Sequence, residues 1–234
     1  MSAKGALDAA QRRARRVARR LLGPKRGRWS DDAKTIGMHE AYQVKLADSL
    51  PERTRLIENA LGPTSRSVLD VGCNLGDITV YCAQSGRFAV GIDQSETLIR
   101  RARSQHAGID GCAFAVMELT PQRVVDLPTF DAVLVLSVHH HWLGTHGPEI
   151  AGQMLRDLAE KTNHVMVFES ASRRVRYGDY PPDFVDNDED SVTSYLNSYL
   201  HEHVGDLFDR IDPMGKTPCV GEREPYRWSF ALYR

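Results

Sequence analysis

The chain has no Cys-x-x-Cys pair: its four cysteines, Cys73, Cys82, Cys112 and Cys219, are scattered. That spacing excludes a disulfide framework and a cysteine-built zinc site, and points to reduced thiols in a cytoplasmic protein. No apolar run approaches the ~20 residues needed to cross a bilayer. The basic N-terminus has no apolar core leading to a cleavage site, so a secretion signal is not expected. Internal repeats and low-complexity tracts are missing. So is any surplus of charge: 30 Lys and Arg against 31 Asp and Glu leave a net charge of −1, which selects no class of partner. With 41% hydrophobic residues, a 234-residue chain fits one medium domain and an appendage.

The charge that is present is unevenly placed. Residues 1–28 hold ten Lys or Arg side chains and one acid, Asp8. Ala10, Ala14, Val17, Leu21 and Leu22 recur there at helical spacing until Pro24 stops the pattern. A basic helical arm of this kind suits an anionic membrane surface, such as the inner face of a cytoplasmic membrane, or nucleic acid; it is equally a solvated terminal helix. The division expected is an arm over 1–28 and a domain over 29–234.

Within that domain a helix is expected over 33–61, ending at Gly62-Pro63. Short β-type runs then alternate with helical ones. Strands are expected at Ser67–Val71, Phe88–Ile92, Ala113–Met117, Asp131–Ser137 and His164–Glu169, with helices near Asp77–Ser85, Ser95–His106 and Pro148–Lys161. The unbroken apolar run at 132–136 is that of a strand covered on both faces. A long loop over 172–190, a helix at Ser191–Val204 and two closing strands, Leu207–Ile211 and Arg227–Tyr233, complete the series. The fold class is α/β: a seven-stranded, mostly parallel sheet with helices on both faces and an N-terminal helical extension.

The most specific stretch is Ser67–Asp77, SVLDVGCNLGD, followed by VGID at Val90–Asp93. Gly72 and Gly76 suit a bend that lets backbone approach a ligand. Asp93 lies where the second strand of a Rossmann-like unit offers a carboxylate to ribose hydroxyls. A dinucleotide loop needs Gly-x-Gly-x-x-Gly, and Asn74 occupies the middle glycine position, which argues against a nicotinamide dehydrogenase.

The pattern D-V-G-C-N-x-G resembles motif I of the class I S-adenosylmethionine methyltransferases. The resemblance runs from about Tyr42 to the C-terminus and implies a methyltransferase with S-adenosylmethionine as its cofactor. It places the Gly72–Gly76 turn, with Asn74, around the methionine part, and Asp70 suits the amine. Asp93, with Gln94 beside it, would hold the ribose, and Met117 and Glu118 would flank the adenine. Ser137, in the loop after strand four, would sit near the sulfonium. LSVHHHWLGTHGPE, beginning at Leu136, and MLRDLAEKTNHVMVFES, ending at Ser170, are similar to the methyltransferase part of bacterial O-antigen chain terminators. Those enzymes cap a growing polysaccharide by methylating a terminal phosphate or sugar; their kinase and coiled-coil parts have no counterpart in this sequence.

The remaining chemistry is open between readings. His140 and His141 are candidate catalytic bases, since imidazole titrates near neutrality. A metal cluster is disfavoured because consecutive histidines diverge, and loop histidines that merely pack are a third reading. His146, Arg173, Arg174, Arg176, Lys216 and Arg227 are candidate acceptor contacts, arginine forks being suited to phosphate or carboxylate. The arginines otherwise pair with Asp183, Asp186, Asp188 and Glu189 on the surface. The acceptor expected is a phosphate- or sugar-containing glycan or small molecule, methylated on oxygen. Alternatives are an RNA acceptor tethered by the basic arm, a natural-product small molecule, or a protein that holds the cofactor without turnover. The oligomeric state is not legible.

Overall fold

The computed structural model describes residues 50–171, 175–186, 188–218 and 226–234, all within the compact unit Asp31–Arg234. The expected arm and the first part of the expected 33–61 helix lie outside the described residues. Helix α1, Leu50–Leu61, opens the described part. Then follow β1 (Ser67–Val71), α2 (Asp77–Gln84), β2 (Phe88–Asp93), α3 (Glu96–Gln105), β3 (Cys112–Val116), α4 (Pro121–Val125) and β4 (Phe130–Leu136). After these come α5 (His139–His146), α6 (Pro148–Glu160), β5 (Thr162–Glu169), α7 (Glu189–Val204), β6 (Arg210–Pro218) and β7 (Tyr226–Tyr233).

The seven strands form one sheet in the order β3-β2-β1-β4-β5-β7-β6. β1 to β5 run parallel, while β7 is antiparallel to both β5 and β6. Hydrophobic burial on both faces holds the sheet. In β4, Ala132 and Leu134 join Ile57, Ala60 and Leu61 of α1 and Ile78 and Cys82 of α2. Val133 and Val135 point the other way, into the layer made by Met154, Leu155 and Leu158 of α6 and Leu196 and Leu200 of α7. Period-two alternation inside an apolar run is what a strand buried on both sides requires. Local signals start the helices: Ser95 accepts from Leu98 N at α3, Thr120 precedes Pro121 at α4, and Asp188 accepts from Ser191 N at α7.

Three expectations are corrected. The histidine stretch, expected as a loop, is helix α5, closed by Gly147 at φ 87°. Its sequence, HHHWLGTH, carries no apolar stripe, so periodicity gave no sign of it. Helix α4 was likewise too short to show a period. The strand expected at Leu207–Ile211 begins at Arg210 and runs to Pro218, after a 3-10 turn at Gly205–Leu207. Pro213 and Gly215 read as breakers, yet they are tolerated because β6 is an edge strand and its register shifts between them.

The parallel core leaves no spare space behind the first βα turn. A Cβ on Gly91 of β2 would lie 2.6 Å from Thr79 Oγ1 and 2.8 Å from Cys73 Sγ. Gly91→Ala is expected to destabilise by about 1–3 kcal/mol, the usual cost of overpacking. A lowered urea midpoint at unchanged slope checks it.

Candidate active site

The bend after β1 is built from backbone. The Gly72 and Cys73 N–H groups both donate to the Ile92 carbonyl of β2, at 2.8 and 3.0 Å. Gly72, Asn74 and Gly76 all have positive φ, at 71°, 53° and 87°. Position 76 accepts only glycine, because a Cβ there would stand 2.4 Å from the Phe114 ring. A Cβ on Gly72 would meet Val138, just past the tip of β4, at 3.0 Å. The chain's strand order reverses direction between β1 and β4, and ligands of open α/β sheets bind at the carboxyl ends of strands at such a point.

Asp93 ends β2 with its carboxylate turned to this bend. Oδ2 accepts from Asn74 N at 3.1 Å and Oδ1 from Ser95 N at 2.9 Å. Met117 is the next strand tip along, its N–H donating to the Asp93 carbonyl at 2.8 Å, while Gln94 and Glu118 are exposed. The Asp93 carboxylate and the glycine bend thus meet at the carboxyl ends of β1 and β2, with Met117 just past the end of β3. Asp70 lies deeper. It is 3% exposed, its Oδ2 accepts from Thr79 Oγ1 of α2 at 2.6 Å, and burial pushes its pKa up to about 6. Its described hydrogen bond ties β1 to α2.

The other wall is a buried charge network that sequence reading did not assemble. Ser137, at φ 53°, brings Oγ within 2.6 Å of Glu169 Oε1 at the end of β5. Arg53 of α1 grips Glu169 with both arms of its fork, at 2.9 Å each. Arg227 of β7, 1% exposed, has Nε 3.8 Å from Glu169 Oε1. Thr217, fully buried, pairs with Arg227 across β6 and β7. Glu169 was visible as a charge ending an apolar strand, within FES at 168–170; Arg53 carried no signal, being one of two arginines in an ordinary helix.

The histidines separate. His139 is fully buried among Trp142, Phe168, Tyr177 and Tyr199, and its Nε2 lies 3.2 Å from the Ala151 carbonyl. Since a carbonyl only accepts, Nε2 carries the proton. Burial lowers its pKa to about 4. His140, half-buried, is lowered to about 3 by burial first, then by His141, His139 and Arg227. His140 is therefore a neutral imidazole whose surroundings include a buried guanidinium. His141 is exposed, its ring centroid 4.0 Å from that of His140. Among the described residues no three His, Cys, Asp or Glu side chains are grouped to hold a metal.

Of the other expected acceptor contacts, His146 ends α5. Lys216 is held at the sheet edge by Glu189 at 3.0 Å and lies over the Tyr226 and Trp228 rings. Arg176 is exposed, 3.8 Å from Asp179. Arg173 and Arg174 lie outside the described residues. The structure thus joins Ser137, His140 and Arg227 and leaves Lys216 apart, on the edge strand.

The strand order and the glycine bend after β1 are those of the class I methyltransferase fold. Comparison with known proteins agrees: residues 69–166 match the family model described as a methyltransferase domain. The chain is similar to the kinase–methyltransferase WbdD, at 22% identity and TM-score 0.57, over 82% of this chain and 40% of that one. It is similar to magnesium protoporphyrin IX methyltransferase from Synechocystis PCC 6803, solved with S-adenosylhomocysteine bound, at 17% identity and TM-score 0.55, over 97% and 94% of the two chains. Among curated proteins it matches the 23S rRNA (uracil(1939)-C(5))-methyltransferase RlmD of Neisseria lactamica (strain 020-06), at 35% identity over 75 residues. That match spans 29% of this chain and 16% of the relative.

The buried titrating groups oppose one another. His139 and His140 have lowered pKa values, so their contribution is complete above the unfolded value near 6.5 and is lost as pH falls toward 4. Asp70 has a raised value, so its contribution is complete below 3.8 and is lost as pH rises through about 6. Asp70→Asn is expected to stabilise the cofactor-free protein by up to about 3 kcal/mol at pH 8, from a shift of about two pKa units, and by less than about 1 kcal/mol at pH 4. Denaturant titrations at the two pH values check the sign.

Proposed function

We propose that this chain transfers the methyl group of S-adenosylmethionine to an oxygen of a phosphate- or sugar-containing acceptor, a glycan or a small molecule. The observation that carries the reading is Ser137 past the tip of β4, next to the Val138 that meets the Gly72 bend and tied through Glu169 to buried Arg227, with His140 following in α5. The likeness of the stretch 136–149 to O-antigen chain terminators points the same way. Asp93 would hold the ribose hydroxyls, the Gly72–Gly76 backbone the methionine end, and Met117 the adenine. S-adenosylmethionine, when bound, supplies a methyl group on a positively charged sulfur open to in-line attack by oxygen.

The chain's own residues then have three tasks. The network of Arg53, Glu169 and Ser137 fixes the wall facing the bend. Arg227, buried beside Glu169, adds positive charge behind the wall that an acceptor phosphate or carboxylate would face. His140 takes a proton from a hydroxyl acceptor or, left neutral, hydrogen-bonds a phosphate that is already ionised. An anion beside it favours the imidazolium, so acceptor binding raises its proton affinity from the low value it has without one. Holding two reactants in line supplies several kcal/mol of the barrier without further chemistry from the protein.

A second reading, an RNA acceptor, is favoured by the RlmD likeness and by the ten basic residues of 1–28. The two separate by salt: RNA binding through an arm weakens steeply between about 50 and 200 mM salt, whereas a small acceptor does not.

Methyl release from labelled cofactor, run with phosphosugars, neutral sugars and RNA, tests the assignment; turnover confined to RNA would overturn the first reading. Asp93→Ala is expected to weaken S-adenosylhomocysteine binding by at least about tenfold in calorimetry, the loss of one charge-assisted hydrogen-bonded partner. His140→Ala is expected to lower kcat by about 100-fold if the imidazole moves a proton, with cofactor affinity unchanged. Equal kcat would assign His140 to packing.

A further inference from the structure

Away from the strand ends, a groove of about 700 Å³ lies between the segment 178–184 and one face of α7. Its floor is aromatic. Phe184 and Tyr195 line it, with ring centroids 5.4 Å apart, and Tyr180 stacks on Phe184 at 4.5 Å. Tyr195 is fixed in place, since its hydroxyl accepts from Gly178 N at 2.6 Å and lies 3.0 Å from the Gly178 carbonyl. The walls are acidic: Asp179, Asp183, Asp190 and Glu202 all border it. Ser191, Ser194 and Ser198, on the same helix face, add hydroxyls.

A cation already tests this chemistry at the rim. The Arg176 guanidinium lies 5.1 Å from the Tyr180 ring centroid and 3.8 Å from Asp179 Oδ1. The chain's own side chain therefore shows ring face and carboxylate acting together on one positive charge, the arrangement by which aromatic sites hold ammonium groups. The volume falls within the range of small-molecule sites.

We propose that the groove is a binding site for a small, cationic, amine-bearing ligand with an apolar stem. Ammonium groups meet Asp190 and Glu202 on α7, and the stem lies along Phe184 and Tyr195. The site is separate from the methyl-acceptor assignment and does not depend on it. It does reach toward the crevice, because Tyr199 lines the groove and its hydroxyl lies 3.3 Å from His139 Nε2 at the start of α5.

The test is calorimetry on the full chain with spermidine as probe and N1,N8-diacetylspermidine as its blunted counterpart. Saturable binding of spermidine, weakened about tenfold in the D190N/E202Q double variant by loss of two charge contacts, is expected. Ser194→Lys, which places an ammonium in the groove, is expected to abolish it, and the diacetylated amine is expected not to bind. S-adenosylhomocysteine affinity, measured on the same variants, should stay at the wild-type value, which separates this site from the cofactor crevice. No saturable binding at millimolar spermidine, or equal affinity in wild type and both variants, would overturn the proposal.

Discussion

The close approach of Gly72 to Val138 is the constraint on which the site depends. At this point β1 and β4 lie side by side, and the chain has run to β2 and β3 on one flank before crossing to the other. The bend after β1 must clear the residue that follows β4, and it does so only because position 72 has no side chain. The same bend is braced on its far side by the Ile92 carbonyl and by Asp93. Backbone hydrogen bonds thus hold the bend on one flank while Val138 packs against it on the other. Precision of this kind is what alignment of two reactants requires.

The buried network around Glu169 belongs to the same logic. Bringing charges out of water costs several kcal/mol per ion, so a buried pair earns its place through geometry rather than stability. Here three separate elements converge on one carboxylate: Arg53 from α1, Arg227 from β7 and Ser137 from the tip of β4. Ser137 takes a left-handed conformation, sparsely populated for a non-glycine residue, and its bond to Glu169 holds it there. The antiparallel strand β7, inserted between β5 and β6, begins where β5 ends and so brings Arg227 beside Glu169. The closing strands of this sheet are thus part of the site as well as of the fold.

The parallel half of the sheet was legible in the sequence because each strand there announces itself: SVLDV, FAVGID and AVLVL are apolar runs ended by turn residues, and their boundaries fell within two residues of those observed. The glycine bend and Asp93 were legible for the same reason, since they are consecutive with strand ends. The network around Glu169 was not. Glu169 and Arg53 lie 116 positions apart, and nothing local tells one carboxylate that its partner is on the first described helix. Helix α5 failed for want of an apolar stripe, and β6 because proline and glycine mark a break unless the strand is known to be an edge. Lys216, counted toward substrate by its charge and its place after β5, is held by Glu189, a pairing that spacing does not announce.

Charge distribution bears on which acceptor the domain admits. Ten acids and one Lys or Arg fall between residues 179 and 212. Asp183, Asp190 and Glu202 in that stretch border an aromatic groove. A polyanion lying across this face meets like charge at close range, where screening over a Debye length of about 8–10 Å is incomplete. Under the proposed function, Asp183, Asp190 and Glu202 would oppose a long polyanion along α7 more than a short acceptor carrying one anionic group, on grounds independent of the histidines and of the loop resemblance.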